Sequence, residues 1–416
     1  MRRGASCLAA ALVLTLFEFA FQASAATDTW KSIAVDNNFS NTNNWTGGVP
    51  GSTDTALFNS TSNFTTLTIG STTQALTSLT FDLTAPAYTI GTTGGNGIAL
   101  SSGGTIQIAS TFSGSNITET INAPLTGFGS INTNNTYTFA NNSAAANNNT
   151  LVLGGSITSS NNGGHSTAIT FTGVGNGSAS GIISGSGGGL SVLKSGSGAW
   201  TFTGNNSYTG GTTVSAGTLF ANNATSSTGT AAVTVNGTGT LGGSGKITGA
   251  VNVSASGATI NAGGTADAIG TLSTGALTLS SSSVFSVDMT STTADQLAVT
   301  GAVNITAASL QLNIPTNTVF AAGQSFTLIN NDLADAISGT FSNAPTGTDL
   351  INGYLWTVTY AGGSGNDFVI TAVPEPSTWL AAALALGAIV WTQRKRVSVC
   401  ARVINECVNR TVPNNR

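Results

Sequence analysis

Few side chains in this sequence have the chemistry to act on a substrate, and most of them come singly. Two aspartate pairs are the exception, Asp288 with Asp295 and Asp332 with Asp335. Paired carboxylates about 5–9 Å apart, with pKa values pushed apart, hydrolyse glycosidic bonds. Spacing in sequence does not set that distance. Both pairs read as turn aspartates on a polar surface, with a carbohydrate-active enzyme as the alternative. A lyase on a β-scaffold would need a cation beside its substrate, and the repeat region offers Lys194 and Lys246. Trp200 and Tyr208 are the aromatics that would flank a saccharide groove. His165, the one histidine, sits in Gly163-Gly164-His165-Ser166. A Ser-His-Asp triad is assembled in space, but no nucleophile-elbow motif accompanies this histidine, and it reads as a solvated loop residue. The expectation is no enzyme and no cofactor.

Residues 362–370, Gly-Gly-Ser-Gly-Asn-Asp-Phe-Val-Ile, follow the nonapeptide spacing by which stacked turns hold calcium, with Asp367 as the acidic ligand. A single copy lacks the neighbouring turn that would complete the ion's oxygen shell. The stretch reads instead as a hairpin loop after Trp356, Val358 and Tyr360, closing the last coils. No metal is expected, and Asp367 is the one calcium candidate.

The scaffold that must position these residues follows from composition. The chain has 416 residues, 53 of them Gly, and only 6% are charged, against about 25% in a soluble globular chain. Between Gly4 and Gln393 the cations are Lys31, Lys194 and Lys246 alone. Nucleic-acid binding through a basic patch is excluded, because counterion release needs clustered cations. Gly, Asn, Thr and Ser are poor helix formers, which excludes a helical bundle. Hydrophobic content of 40% and a net charge of −4 are enough apolar surface, and too little charge, for a disordered chain. A polar β-protein remains.

Its strands are short and alternating. Leu67-Thr-Ile69, Ile106-Gln-Ile108, Val233-Thr-Val235, Val251-Asn-Val253, Leu277-Thr-Leu279 and Leu310-Gln-Leu-Asn-Ile314 place apolar residues at period two, with Gly-rich turns between them. One such coil cannot bury its own apolar face, so stacking about 4.8 Å apart must supply the core. Coils of about 25 residues would give a rod near 60 Å long. Asn runs such as Asn141-Asn142 and Asn147-Asn148-Asn149 suit corners where amides bond from coil to coil.

The segment from Gly187 through Leu219, with Gly196-Ser-Gly198-Ala-Trp200-Thr-Phe202-Thr-Gly204, Tyr208-Thr-Gly210-Gly211 and Val214-Ser-Ala-Gly217-Thr-Leu219, resembles the autotransporter-associated β-strand repeat. The likeness continues through Val233 to Gly245, Asp295-Gln-Leu297 and Leu355 to Thr371. What it implies is an all-β, right-handed parallel β-helix displayed at the cell surface as a passenger.

The two ends read as address labels. Arg2-Arg3, an apolar run from Leu8 to Phe17, and Ala23-Ser-Ala25 at the cleavage site form a secretory signal over residues 1–25. Near the other end, Pro374-Glu375-Pro376 precedes an apolar run from Trp379 to Trp391 and the cluster Arg394-Lys395-Arg396. As a helix the run rises only about 20 Å. Its tryptophan flanks and basic stop nonetheless lead to the expectation of a single transmembrane helix with the cluster inside. This three-part order resembles the PEP-CTERM sorting signal, which implies an exosortase-type enzyme as partner. Residues 397–416, with Cys400 and Cys407, continue past the point where that family's chains end and carry too few ligands for zinc. The organisation expected is a signal (1–25), a β-rich region (26–180), a repeat region (181–371), a sorting segment (372–396) and a tail (397–416). The function expected is that of an exported structural or adhesive protein, in contact with polysaccharide or with its own copies.

Overall fold

A computed structural model describes residues 25–126, 133–160, 164–186, 189–254, 256–263, 268–332, 335–373 and 376–411. The alternating triplets become strands whose odd and even residues turn to opposite sides, as the two-residue period of an extended chain requires. Their edges pair in parallel with the strand one coil further on. The first stack begins with Thr27–Thr29 and Thr55–Phe58. It continues through the second halves of Gln74–Phe81 and Ile98–Ile108 to Asn135–Asn141 and Thr167–Gly173. Leu190–Lys194 and the first halves of Thr212–Ala221 and Val233–Gly242 follow. Val251–Val253, Leu277–Leu279, Val303–Thr306 and Ser338–Thr340 complete it. A second stack runs beside it from Thr66–Leu67 to Ser309–Asn313. A third side is built from shorter pairings, among them Ile157–Ser160 with Ile183–Ser186, and Thr271–Thr274 with Gln296–Val299. The architecture is a parallel β-solenoid, and its ladders run without a break across residue 180.

Among the described residues the first stack has thirteen segments, which at about 4.8 Å each give a rod on the order of 60 Å. The coils are uneven. Val233 faces Val251, 18 residues on, whereas Asn304 faces Ser338, 34 residues on. Extra length goes into corner loops and leaves the ladder register intact.

The interior is one continuous cluster. One column of the first stack reads Leu79, Ile106, Phe139, Phe171, Lys194, Val214, Val235, Val253, Leu279, Ile305. Every member is buried. Amides do bridge the coils at corners, but mostly to backbone. The Asn141 Nδ2 donates to the carbonyls of Asn149 (2.8 Å) and Asn176 (2.7 Å). Asn148 to the Asn116 Oδ1, at 3.1 Å, is an amide pair of the kind expected.

Both ends of the stack are plugged with rings. Trp45 packs 5.1 Å from Trp30, 4.8 Å from Phe39 and 5.6 Å from Phe58. At the other end the pairing turns antiparallel: Gly347–Ile351, Tyr354–Gly362, Asp367–Ala372 and Ser325–Asn331 form a small cap. Phe320 packs 4.9 Å from Trp356 there.

The expected C-terminal helix forms, but not as a membrane span. It runs from Pro376 to Thr411, 36 residues, straight through the basic cluster at which it was expected to stop. Among the described residues no helix is long and apolar enough to cross a membrane. The reason is in the sequence: the apolar run covers about two thirds of the roughly 20 residues a span needs, and Arg394, Lys395, Arg396 and Arg402 follow it on the same helix.

Candidate functional site

One of the two aspartate pairs is brought together. Val284–Asp288 ends the second stack's penultimate strand with Phe285 and Val287 turned inward and Asp288 outward. The chain then reverses through a turn closed by the Thr290 amide donating to the Thr293 carbonyl at 2.8 Å, and returns to Asp295. The Asp295 Oδ2 accepts the Asp288 amide at 2.9 Å and its Oδ1 accepts the Gly270 amide at 2.8 Å. Burial, with a smaller push from the Asp288 charge, raises the Asp295 carboxyl to about 6. Asp288 accepts from the Asn313 Nδ2 at 2.7 Å and from the Asn261 Nδ2 at 3.4 Å. Although it faces outward it is only 5% exposed, because corner loops rise around it. They border an open groove of about 440 Å3 lined by Ile269, Asp288, Met289, Thr290, Asn313, Ile314 and Pro315. In the other pair Asp332 and Asp335 are exposed, and the Asp335 carbonyl accepts from the Asn331 side chain at 2.8 Å.

The remaining sequence candidates are placed as structural parts. Trp200 and Tyr208 are both fully buried. The Tyr208 hydroxyl is 2.6 Å from that of Thr212, and the Trp200 indole donates to the Thr172 carbonyl at 3.3 Å. Lys194 stands in the apolar column, its ammonium donating to the carbonyls of Ser195 (2.8 Å), Gly196 (2.9 Å) and Ala216 (2.9 Å). Burial pulls it down to about 8. Lys246 is exposed and its backbone carries a bridge to Ser273. His165 is half-buried at the entry to Thr167–Gly173. Residues 362–367 form the expected hairpin, with Gly362 paired to Asp367, and the Asp367 Oδ1 accepts the Asn331 amide at 3.0 Å. Among the described residues no three His, Cys, Asp or Glu side chains converge to hold a metal.

One ionisable residue was missed. Glu119 is fully buried in Thr118–Ile121, and its Oε2 accepts the Tyr88 amide at 2.8 Å while its Oε1 has no hydrogen-bond partner. Burial raises it to about 8. The signal was available: Glu119 shares the parity of Ile117 and Ile121, as Lys194 shares that of Leu190 and Val192.

Of the residues expected to act at the two ends, Ala23, Pro374 and Glu375 lie outside the described residues, whereas Ala25 is exposed ahead of the first strand. Pro376 opens the helix, Trp379 lies in its first turn, and Trp391, Arg394, Lys395 and Arg396 are exposed along it. The Lys395 ammonium sits 3.7 Å above the centre of the Trp391 ring.

With the geometry in place, the class of protein is a parallel β-solenoid carrying a passenger-type repeat. Residues 192–219 match the model of the passenger-associated-transport-repeat family. They make one complete coil and the start of the next, from Val192, which faces Thr212, to Leu219, which faces Trp200. No curated protein matches the chain.

Proposed function

We propose that this chain is exported and displayed at the cell surface, and that its solenoid, wound right-handed, does structural or adhesive work there. The observation that supports this best is that the segment similar to the transport-associated repeat is one coil of an uninterrupted stack, with its indole, its phenol and its lysine all turned inward. What is left outside is a surface of hydroxyls and amides, suited to many weak contacts with polysaccharide or with other copies of the chain. In this reading an exosortase-type enzyme recognises Pro374-Glu375-Pro376, a motif whose prolines remove two backbone donors and restrict the chain. The apolar stretch and basic cluster behind the motif hold it at the membrane surface. Mass spectrometry of the mature protein from cells tests both ends together: the expected termini lie near Ala26 and Val373, and an intact Met1 and Arg416 would refute the reading.

The joined aspartates favour a second reading, hydrolysis of a glycosidic bond at Asp288 and Asp295. Against it, both Asp295 oxygens already accept backbone amides. Reducing-end release from a polysaccharide, lost in Asp295→Asn, is the result that would favour the enzyme.

A further inference from the structure

We propose that the groove over Asp288 binds a neutral sugar ring, giving the solenoid one defined saccharide site in addition to diffuse surface contact. The inference rests on the surface role above and names where that role would be specific. Asp288 is a carboxylate held nearly out of water, yet its two oxygens accept only one short and one long hydrogen bond. A carboxylate has about four acceptor positions, so it retains capacity for donors arriving from the groove. Sugar hydroxyls are such donors. Asn313 is pinned beside it, donating to the Ser286 hydroxyl at 2.9 Å as well as to Asp288, so the acceptor is pre-oriented before any ligand arrives.

The rest of the lining decides between ligand classes. Met289, Ile314 and Pro315 give the groove an apolar wall that matches the C–H face of a pyranose. That wall carries no side-chain oxygen, which leaves Asp288, Thr290 and Asn313 as the oxygen-bearing side chains of the lining, fewer than the six to eight ligands calcium takes. No lysine or arginine lines the groove, so an anionic sugar would meet Asp288 uncompensated. The volume of about 440 Å3 lies within the range of small-molecule sites. Backbone ladders fix both walls, since the Met289 amide donates to the Asn313 carbonyl at 3.0 Å.

The test is titration calorimetry and saturation-transfer NMR on the full chain with neutral gluco-, xylo- and manno-tetrasaccharides, with calcium chloride as a separate arm. The expected result is that one tetrasaccharide binds and that Asp288→Asn weakens it at least tenfold. Pro315→Trp, which fills the groove from its exposed rim, should abolish binding even if Asp288→Asn folds poorly. Failure of all three sugars, unchanged affinity in both variants, or an Asp288-dependent rise in melting temperature with calcium would each overturn the proposal. Cells carrying Asp288→Asn separate the two levels. Normal termini with undiminished polysaccharide adhesion would sink the groove and leave the surface role standing, whereas absence of the protein from the surface would sink that role.

Discussion

Lys194, Glu119 and Asp295 are buried ionisable groups in a chain of which only 6% is charged, and their titrations have opposite signs. Asp295 and Glu119 are raised in the folded state, to about 6 and about 8, from 3.8 and 4.5. Each therefore stabilises the fold fully below its unfolded value, and that contribution is lost as pH rises through the folded one. Lys194 is lowered from 10.5 to about 8. Its charged form opposes folding at neutral pH, and stability returns as it deprotonates between about 8 and 10.5. The three carbonyl acceptors around its ammonium temper that cost. Burial holds Tyr88, Tyr137 and Tyr208 well above the ordinary phenol range, so stability falls again above about pH 10. The melting temperature should decline from pH 5 to 8, pass through a minimum near 8, and recover by pH 9.5. Glu119→Gln should flatten the decline between pH 6 and 8, and Lys194→Met should remove the recovery; each effect is on the order of 1–4 kcal/mol. Thermal melts across pH check this, and a profile unchanged in both variants contradicts it.

The element that recurs is the coil, and its tolerance is set by what the neighbouring coil places opposite. Gly177 faces Trp200 across the second stack, and a Cβ there would lie 2.7 Å from the indole ring. Gly177→Ala should cost about 1–3 kcal/mol by overpacking, and Trp200→Ala about 3–5 kcal/mol by leaving a cavity. The double variant should cost less than the sum, because the cavity accepts the added methyl. Urea unfolding measures all three, and strict additivity would show that the two sites do not share that space. At the corner, Gly217 has φ 61°, and a Cβ would fall 2.8 Å from the Lys194 ammonium, so the lysine cage and the glycine depend on each other. This level was the most legible in the sequence. Val233–Gly242, Val251–Val253, Leu277–Leu279 and Ser309–Asn313 are strands where period-two alternation called for them. The interior placement of Lys194 and Glu119 was not legible, because Lys and Glu are almost never fully buried and their charge outweighs the inward parity of their positions. The Asp288–Asp295 contact was not legible either, since it depends on how the chain reverses through Thr290–Thr293 and on an amide supplied from Gly270.

At the scale of the whole molecule, the stack leaves an open edge at each end, and the aromatic plugs are what cover the core there. Phe341 packs 5.0 Å from Phe368 of the closing hairpin and 5.9 Å from Phe285 of the coil beneath. A chain ending at residue 342 would bare these rings beside Ser338–Thr340, a strand whose side chains are already exposed, the combination that invites edge-to-edge pairing. Such a truncation should elute as large species in light-scattering chromatography while its circular dichroism stays sheet-like; a monodisperse monomer would show that the cap is dispensable. The sequence disclosed the hairpin at residues 362–367 but not the antiparallel sheet around it, whose partners come from Gly347–Ile351 and Ser325–Asn331. Its basic and apolar C-terminal signals fall on one unbroken helix, because nothing between Trp391 and Arg394 stops a helix.

The ladders have a mechanical corollary. Their hydrogen bonds point along the rod, so a pull between the ends loads them one after another instead of all at once. Under tension the molecule would pay out like a tape from a reel, a coil at a time. Because coils range from 18 to 34 residues, each release would add roughly 60 to 120 Å of slack at about 3.3–3.6 Å per residue.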